Sequence, residues 1–162
     1  MSGNAETVRV DELEVLKRAV LKRIVESGLI ASEQIQLENE IAPSELPYCR
    51  ITLSGSAEYN YDSQQRMSLL VIVNIDLFGK TGSGTRDLSQ LGAQIEALFG
   101  KYDRDSSKRA ITMGEAEEAS ANVERFGRAV GRTESGGLYR WAEMLYVRVV
   151  LTAAAESEKN HG

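Results

Sequence analysis

The segment NIDLFGKTGSGTRDL, residues 74–88, places a Gly-Lys-Thr triplet between a run of β-formers and a helical pattern. That is the order of parts in a phosphate-binding loop. Such a loop needs G-x-x-x-x-G-K-[ST], because the first glycine lets the backbone turn tightly around the phosphate. Counting back from Gly79, the required glycine falls on Asn74, and the intervening IDLF continues a strand. The dinucleotide fingerprint fails too: after Gly82 and Gly84 it needs a glycine at 87, where Asp87 would repel a phosphate at a helix N-terminus. The stretch reads as a strand-to-helix joint, and no cofactor is expected.

Other chemistry-bearing residues are sparse. Glu115, Glu117 and Glu118 form a carboxylate cluster in a polar segment, where such groups are usually solvated. The single histidine, His161, lies near the C-terminus, so a Ser–His–Asp or Cys–His arrangement would depend on the tail. With one cysteine, Cys49, neither an intramolecular disulfide nor a Cys/His metal cluster can form, and no metal is expected. Cys49 alternates with Ile51 in an extended run and reads as packed rather than nucleophilic. Trp141 opens the last apolar run as a core or edge anchor. Catalysis has little to stand on, and the expectation is a non-enzyme.

Residues suited to contact sit in two polar connections. Glu58, Tyr59, Tyr61 and Asp62 fall in the link between two strands. Lys101, Arg104, Lys108 and Arg109 alternate with Asp103 and Asp105 in the excursion 101–118, where the charges nearly cancel. A dedicated DNA-binding stripe is not expected there, and a protein contact fits better.

The elements that position these residues follow from periodicity. Residues 1–7 are small and polar and are expected to be disordered. From Val8 to Ser27, Leu13, Leu16, Val20 and Ile24 recur at helical steps, with acids in the first turns and Gly28 as the stop. A short strand is expected around Gln34–Leu37. Pro47 opens a strand in which Cys49, Ile51 and Leu53 alternate with Arg50 and Thr52. Met67–Phe78 is the strongest strand. Its face of Leu69, Val71, Val73, Ile75 and Leu77 is expected to be buried, with Asn74 and Asp76 emerging into solvent. An antiparallel hairpin is the simplest pairing of the two. A second helix is predicted from Thr85, as N-cap, to Phe99, closed by Gly100. Residues 119–130 could form a strand with Ala121, Val123 and Arg125 on one face. The last strand, Leu138–Thr152, puts Leu145, Val147, Val149 and Leu151 together, and residues 153–162 form a flexible tail. The outline is one α+β domain over 8–152: a mainly antiparallel sheet with two helices packed on one face.

Bulk properties agree. A chain of 162 residues can bury a core without staples, and a net charge of −5 argues against gripping nucleic acid through the whole surface. No apolar run approaches the roughly 18 residues of a membrane span, and the charged start is not a signal peptide; a soluble protein made in the cytoplasm is expected.

Three stretches resemble one family. They are ELEVLKRAVLKRIV; LPYCRITLSGSAEYNYDSQQRMSLLVIVNIDLFG, leading into TRDLSQLGAQIEALF; and GGLYRWAEMLYVRVVLT. In element order and apolar pattern the chain is similar to the bacteriophage tail terminator proteins, over about two-thirds of its length. The resemblance implies a structural virion protein at the head–tail junction. It would form a hexameric ring on the last ring of the tail tube, stop its polymerisation and offer a docking face to the head connector. The implied partners are its own copies, the tube protein and the connector, with DNA passing through the lumen without sequence-specific binding. The residue-level contact candidates remain Glu58, Tyr59, Tyr61, Asp62, Lys101, Arg104, Lys108 and Arg109. A tube subunit or another head–tail joining protein is the alternative, and a small nucleotide-binding regulatory protein a more distant one.

Overall fold

The first helix, α1 (Glu12–Ser27), forms where the apolar spacing demands one. In the computed structural model, which describes residues 11–37, 41–55, 60–61, 66–80, 84–103, 106–116, 118–129 and 137–151, Asp11 caps it by accepting a hydrogen bond from the Leu13 N–H at 3.0 Å. Gly28 ends it at φ 82°, a left-handed conformation that a glycine adopts without steric cost. Val15, Leu16, Val20 and Ile24 face inward, with Leu13 half-buried at the margin. The expected disordered ends, 1–7 and 153–162, lie outside the described residues, as do Val8–Val10 of the expected helix and Thr152 of the expected last strand.

A 3-10 turn, Ser32–Gln34, leads into β1 (Ile35–Gln36). Then come β2 (Tyr48–Ser54), β3 (Asn60–Tyr61), β4 (Met67–Lys80), α2 (Gly84–Leu98), β5 (Ala110–Ile111), β6 (Ala119–Ala129) and β7 (Leu138–Leu151). They make one sheet in the order β1-β2-β4-β7-β6-β5, with β3 paired to the start of β4. Every pairing is antiparallel except β1 with β2. The fold is α+β, with both helices packed on one face of the sheet.

The central pair is β4 with β7, in unbroken register from Met67 opposite Leu151 to Lys80 opposite Leu138. With a two-residue side-chain period, the odd-numbered positions of both strands face the helices. There Val73, Ile75, Leu77, Leu145, Val147 and Val149 are fully buried with Leu16, Ile24, Ile95 and Phe99. Helix α2 approaches very closely: a Cβ built on Gly92 would lie 2.8 Å from Trp141 Nε1.

Four local expectations need correction. Asp76 is not solvated but 2 % exposed, and Phe78 beside it is 4 % exposed, because the neighbouring strands β2 and β7 supply covering side chains. Asn74 is half-buried and donates to Ser54 Oγ at 2.9 Å. Helix α2 begins at Gly84, so Thr85 lies inside its first turn rather than capping it. In β6 a bulge between Val123 and Arg125 inserts one residue, so Arg125 pairs with Tyr146 and leaves the face that holds Ala121 and Val123.

Candidate functional site

Two places on this frame carry chemistry, one inside the core and one on the face without helices. The inner one joins α2 to β6 and β7. Glu96, in the last turn of α2, is 1 % exposed, and Glu143, on the helix-facing side of β7, is fully buried. Arg128, which the bulge turns back toward the helices, sends Nε to Glu96 Oε2 at 2.8 Å and to Glu143 Oε1 at 3.3 Å, and Nη2 to Glu96 Oε1. Lys101 Nζ lies 3.0 Å from Glu96 Oε1, and the Tyr102 hydroxyl donates to the same oxygen at 3.2 Å. Trp141 Nε1 donates to Glu143 Oε2 at 3.1 Å.

Two buried carboxyls this close cannot both ionise cheaply. Burial, with the hydrogen bond and charge of Glu96, pushes Glu143 well above the carboxylate range. Burial also opposes ionisation of Glu96, but hydrogen bonds from Arg128, Glu143 and Lys101 outweigh it and hold Glu96 low. The pair therefore keeps one proton, on Glu143, at neutral pH. A carboxylic acid beside a carboxylate is equipment for acid–base work, but a substrate must reach it. The groove of about 400 Å³ beside α1 and the hollow of about 430 Å³ beside β3 are lined by other residues. The cluster ties helix to sheet, with both carboxyls buried and Arg128 and Tyr102 exposed at its outer edge.

The outer place is the sheet face that no described helix covers. Its centre is apolar and half-buried: Leu70, Ile72, Met144 and Tyr146, on β4 and β7. At one end Tyr48 stacks on Phe78 with ring centroids 4.7 Å apart, and Arg50 lies over Phe78. Beside them Asp76 is gripped by Arg140, at 3.0 and 3.2 Å, and by Arg50 at 3.4 Å. At the other end Arg148 pairs with Glu124 at 3.3 Å, and Arg125 lies 4.4 Å over the Tyr146 ring. Arginine, tyrosine and methionine around an apolar centre are the residue types enriched in protein–protein contacts.

The residues singled out from sequence fall unevenly on these places. Glu58, Tyr59, Asp62 and Arg104 lie outside the described residues. Tyr61, 69 % exposed, stands at the rim of the hollow with Arg66, Glu124 and Arg148, next to the open face. Lys101, Lys108 and Arg109 belong to the helix side, and the structure does not bring them together with Tyr61. Nor do they form a free contact loop: Lys101 holds Glu96, Lys108 pairs with Asp103 at 3.1 Å, and Arg109 Nε donates to Gly100 O at 3.3 Å. Arg23 of α1 ties the same excursion down through Leu98 O, Lys108 O and Ala110 O, at 3.3, 2.7 and 2.9 Å. Glu115 is exposed, Glu118 half-buried, and Glu117 lies outside the described residues. Cys49 is fully buried, and its thiol is pushed up to about 12 by burial and by the charge of Asp76, which leaves it unreactive. Among the described residues no three His, Cys, Asp or Glu stand together as metal ligands, and no helix is long and apolar enough to cross a membrane.

Neither the inner cluster nor the arginine ends of the open face stood out from sequence. A signal for each existed: Glu143 shares the parity of Leu145, Val147 and Val149, and Asp76 sits between Ile75 and Leu77 in the most apolar run of the chain. An acidic residue at such a position needs a partner.

No family model and no curated protein matches the sequence. Thirty solved chains match in structure. One of them, which carries only a sequence identifier as its name, superposes with a TM-score of 0.55 at 13 % identity, over 85 % of this chain and 94 % of its own. At that identity the likeness shows the fold alone.

Proposed function

We propose that this chain is a structural assembly protein of a phage tail, forming a ring that caps the tail tube, ends its polymerisation and presents a docking surface to the head connector. The observation that carries the reading is the sheet face that no described helix covers, with its apolar centre and arginine ends. A half-buried apolar face on a small domain is stabilised further by a partner surface, and repeated copies of one domain assemble through such faces. The resemblance in element order supplies the specific setting, a virion at its head–tail junction. Copies would meet one another laterally and meet tube and connector above and below, with DNA threading the hole.

Negative-stain imaging of the purified protein, alone and with isolated tail tubes, tests this directly. Rings of six, seated on one end of each tube, with tube length held constant, are the expected result. A protein that stays monomeric with tubes present and leaves tube length uncontrolled overturns it.

A further inference from the structure

The hollow beside β3 has a buried hydroxyl in its lining. Ser68 is 7 % exposed, and among the described residues no group bonds its Oγ. A buried hydroxyl left unpaired is destabilising, so an acceptor that enters the hollow is favoured at this point. The strand register sets other polar groups around it. Ser68 stands opposite Asn60 on β3 and opposite Val150 on β7, which makes one row across three strands. Arg66 comes two residues before Ser68, and Arg148 is its diagonal neighbour on β7, so guanidiniums line the hollow on both sides of that row.

The charges leave room for an anion. Arg66 and Arg148 against Glu124 make the hollow net cationic on a chain of −5. Arg148 is loosely held: its Nε and Nη2 lie 3.3 and 3.5 Å from Glu124. A tight charge-assisted bond measures ~2.7–2.9 Å. Arg66 has a contact of its own, so it adds charge rather than an open donor. Donors thus come from three sides: the Ser68 hydroxyl from the floor, Arg148 from one flank, and the exposed Asn60 amide and Tyr61 hydroxyl from β3. A phosphoryl group fans out three strong acceptor oxygens and can use all three sides, whereas a planar carboxylate offers two. The volume of about 430 Å³ exceeds what a phosphoryl group alone needs and falls within the ~300–1,000 Å³ of small-molecule sites.

We infer that this hollow binds a small phosphate monoester, its phosphoryl group held by the Ser68 hydroxyl and the Arg148 guanidinium and its carbon body lying against Tyr61. Arg66 supplies charge. Glu124 is the competing anion, from which the phosphoryl group must draw Arg148. The site goes beyond the assembly reading and stands or falls apart from it.

The test titrates ribose-5-phosphate into isotope-labelled protein near pH 7.5, where a phosphate monoester is mostly dianionic, and follows amide chemical shifts. Saturable binding is expected, with shifts confined to residues 60–61, 66–70 and 148–150. Inorganic phosphate should bind the same residues more weakly, and ribose without phosphate should not bind. Ser68→Ala changes no charge and should weaken binding about tenfold, as should Arg148→Gln. Glu124→Gln should tighten it severalfold by releasing Arg148. Thermal melting checks the fold of each variant; Glu124→Gln alters only an exposed side chain and carries the test if Ser68→Ala fails to fold. Absence of saturable shifts overturns the site. So does a folded Ser68→Ala that binds as wild type does, since the anion would then be attracted by charge alone. Acetate that binds as well as ribose-5-phosphate overturns the phosphoryl assignment. A single-stranded oligonucleotide that binds these residues more tightly than ribose-5-phosphate overturns it too, because the hollow would then serve a nucleic-acid backbone. Ring formation on tail tubes is read separately and is untouched by any of these results.

Discussion

The proton shared by Glu96 and Glu143 should make the stability of this protein fall as pH rises through the neutral range. Glu143 is raised from an ordinary value of 4.5 to about 8 by burial and by Glu96. A carboxyl with a raised folded-state pKa contributes stability that is fully present below the unfolded value and is lost as pH climbs through the folded one. Between about pH 4.5 and 8 the unfolded chain has released a proton that the folded chain keeps. The slope therefore approaches ~1.4 kcal/mol per pH unit against folding. Glu96, held low, acts in the opposite sense and at lower pH: its contribution is present above the ordinary carboxylate range and is lost as pH falls below it. Few side chains share the neutral window, because the sequence holds a single histidine. Glu143→Gln keeps the shape and hydrogen-bonding capacity of the neutral acid and removes its titration. Its amide oxygen, in the place of Oε2, can accept from Trp141, and its NH2, in the place of Oε1, can donate to Glu96 while Arg128 keeps its bonds to Glu96. Urea unfolding at pH 5, 6, 7 and 8 should give a variant close to wild type at pH 5 that gains on it by ~1 kcal/mol for each unit above. Parallel pH curves for the two proteins would refute the reasoning, for they would mean that Glu143 is ionised in the folded state.

Other perturbations test the remaining contacts. Asp76→Asn removes the charge that Arg50 and Arg140 share and should lower unfolding stability by roughly 2 kcal/mol in urea titrations, moderated because both guanidiniums are partly exposed. Arg23→Met leaves the carbonyls of Leu98, Lys108 and Ala110 without their donor. A loss of about 2 kcal/mol is expected, with faster amide exchange concentrated in residues 106–111. Gly92→Ala improves helix propensity by ~1 kcal/mol but drives a Cβ into Trp141 and Glu143, so the net effect should be destabilising. Trp141 is the sole tryptophan, and its emission should shift in that variant.

Much of the frame was legible because it depends on neighbours in the chain. The spacing of Leu16, Val20 and Ile24 demands a helix, Gly28 ends it, and the alternation from Leu69 to Leu77 demands a strand with a buried face. Strong local patterns of both kinds in one short chain lead to an α+β layer arrangement, and that arrangement is the one observed. The passage from a strand to a helix around the Gly-Lys-Thr triplet was also readable, since β-formers run up to Phe78 and helical spacing resumes at Leu88.

Tertiary structure alone decided where the polar groups went. Glu96, Arg128 and Glu143 come from a helix and two strands, and nothing in their local sequence announces that they meet. A buried charge is tolerated only where distant residues supply partners, and the register of β6 on β7 determines that supply. Asp76 is the same case: parity places it opposite the core face, but Arg50 and Arg140 arrive only when β2 and β7 flank β4. The bulge before Arg125 swaps the two faces of β6, sending Arg125 to the open side and Arg128 to the core, and a one-residue shift has no periodic signature to read in advance. Local pattern sets the elements because backbone geometry is local; the chemistry of the faces depends on which strands become neighbours, and only the folded sheet determines that.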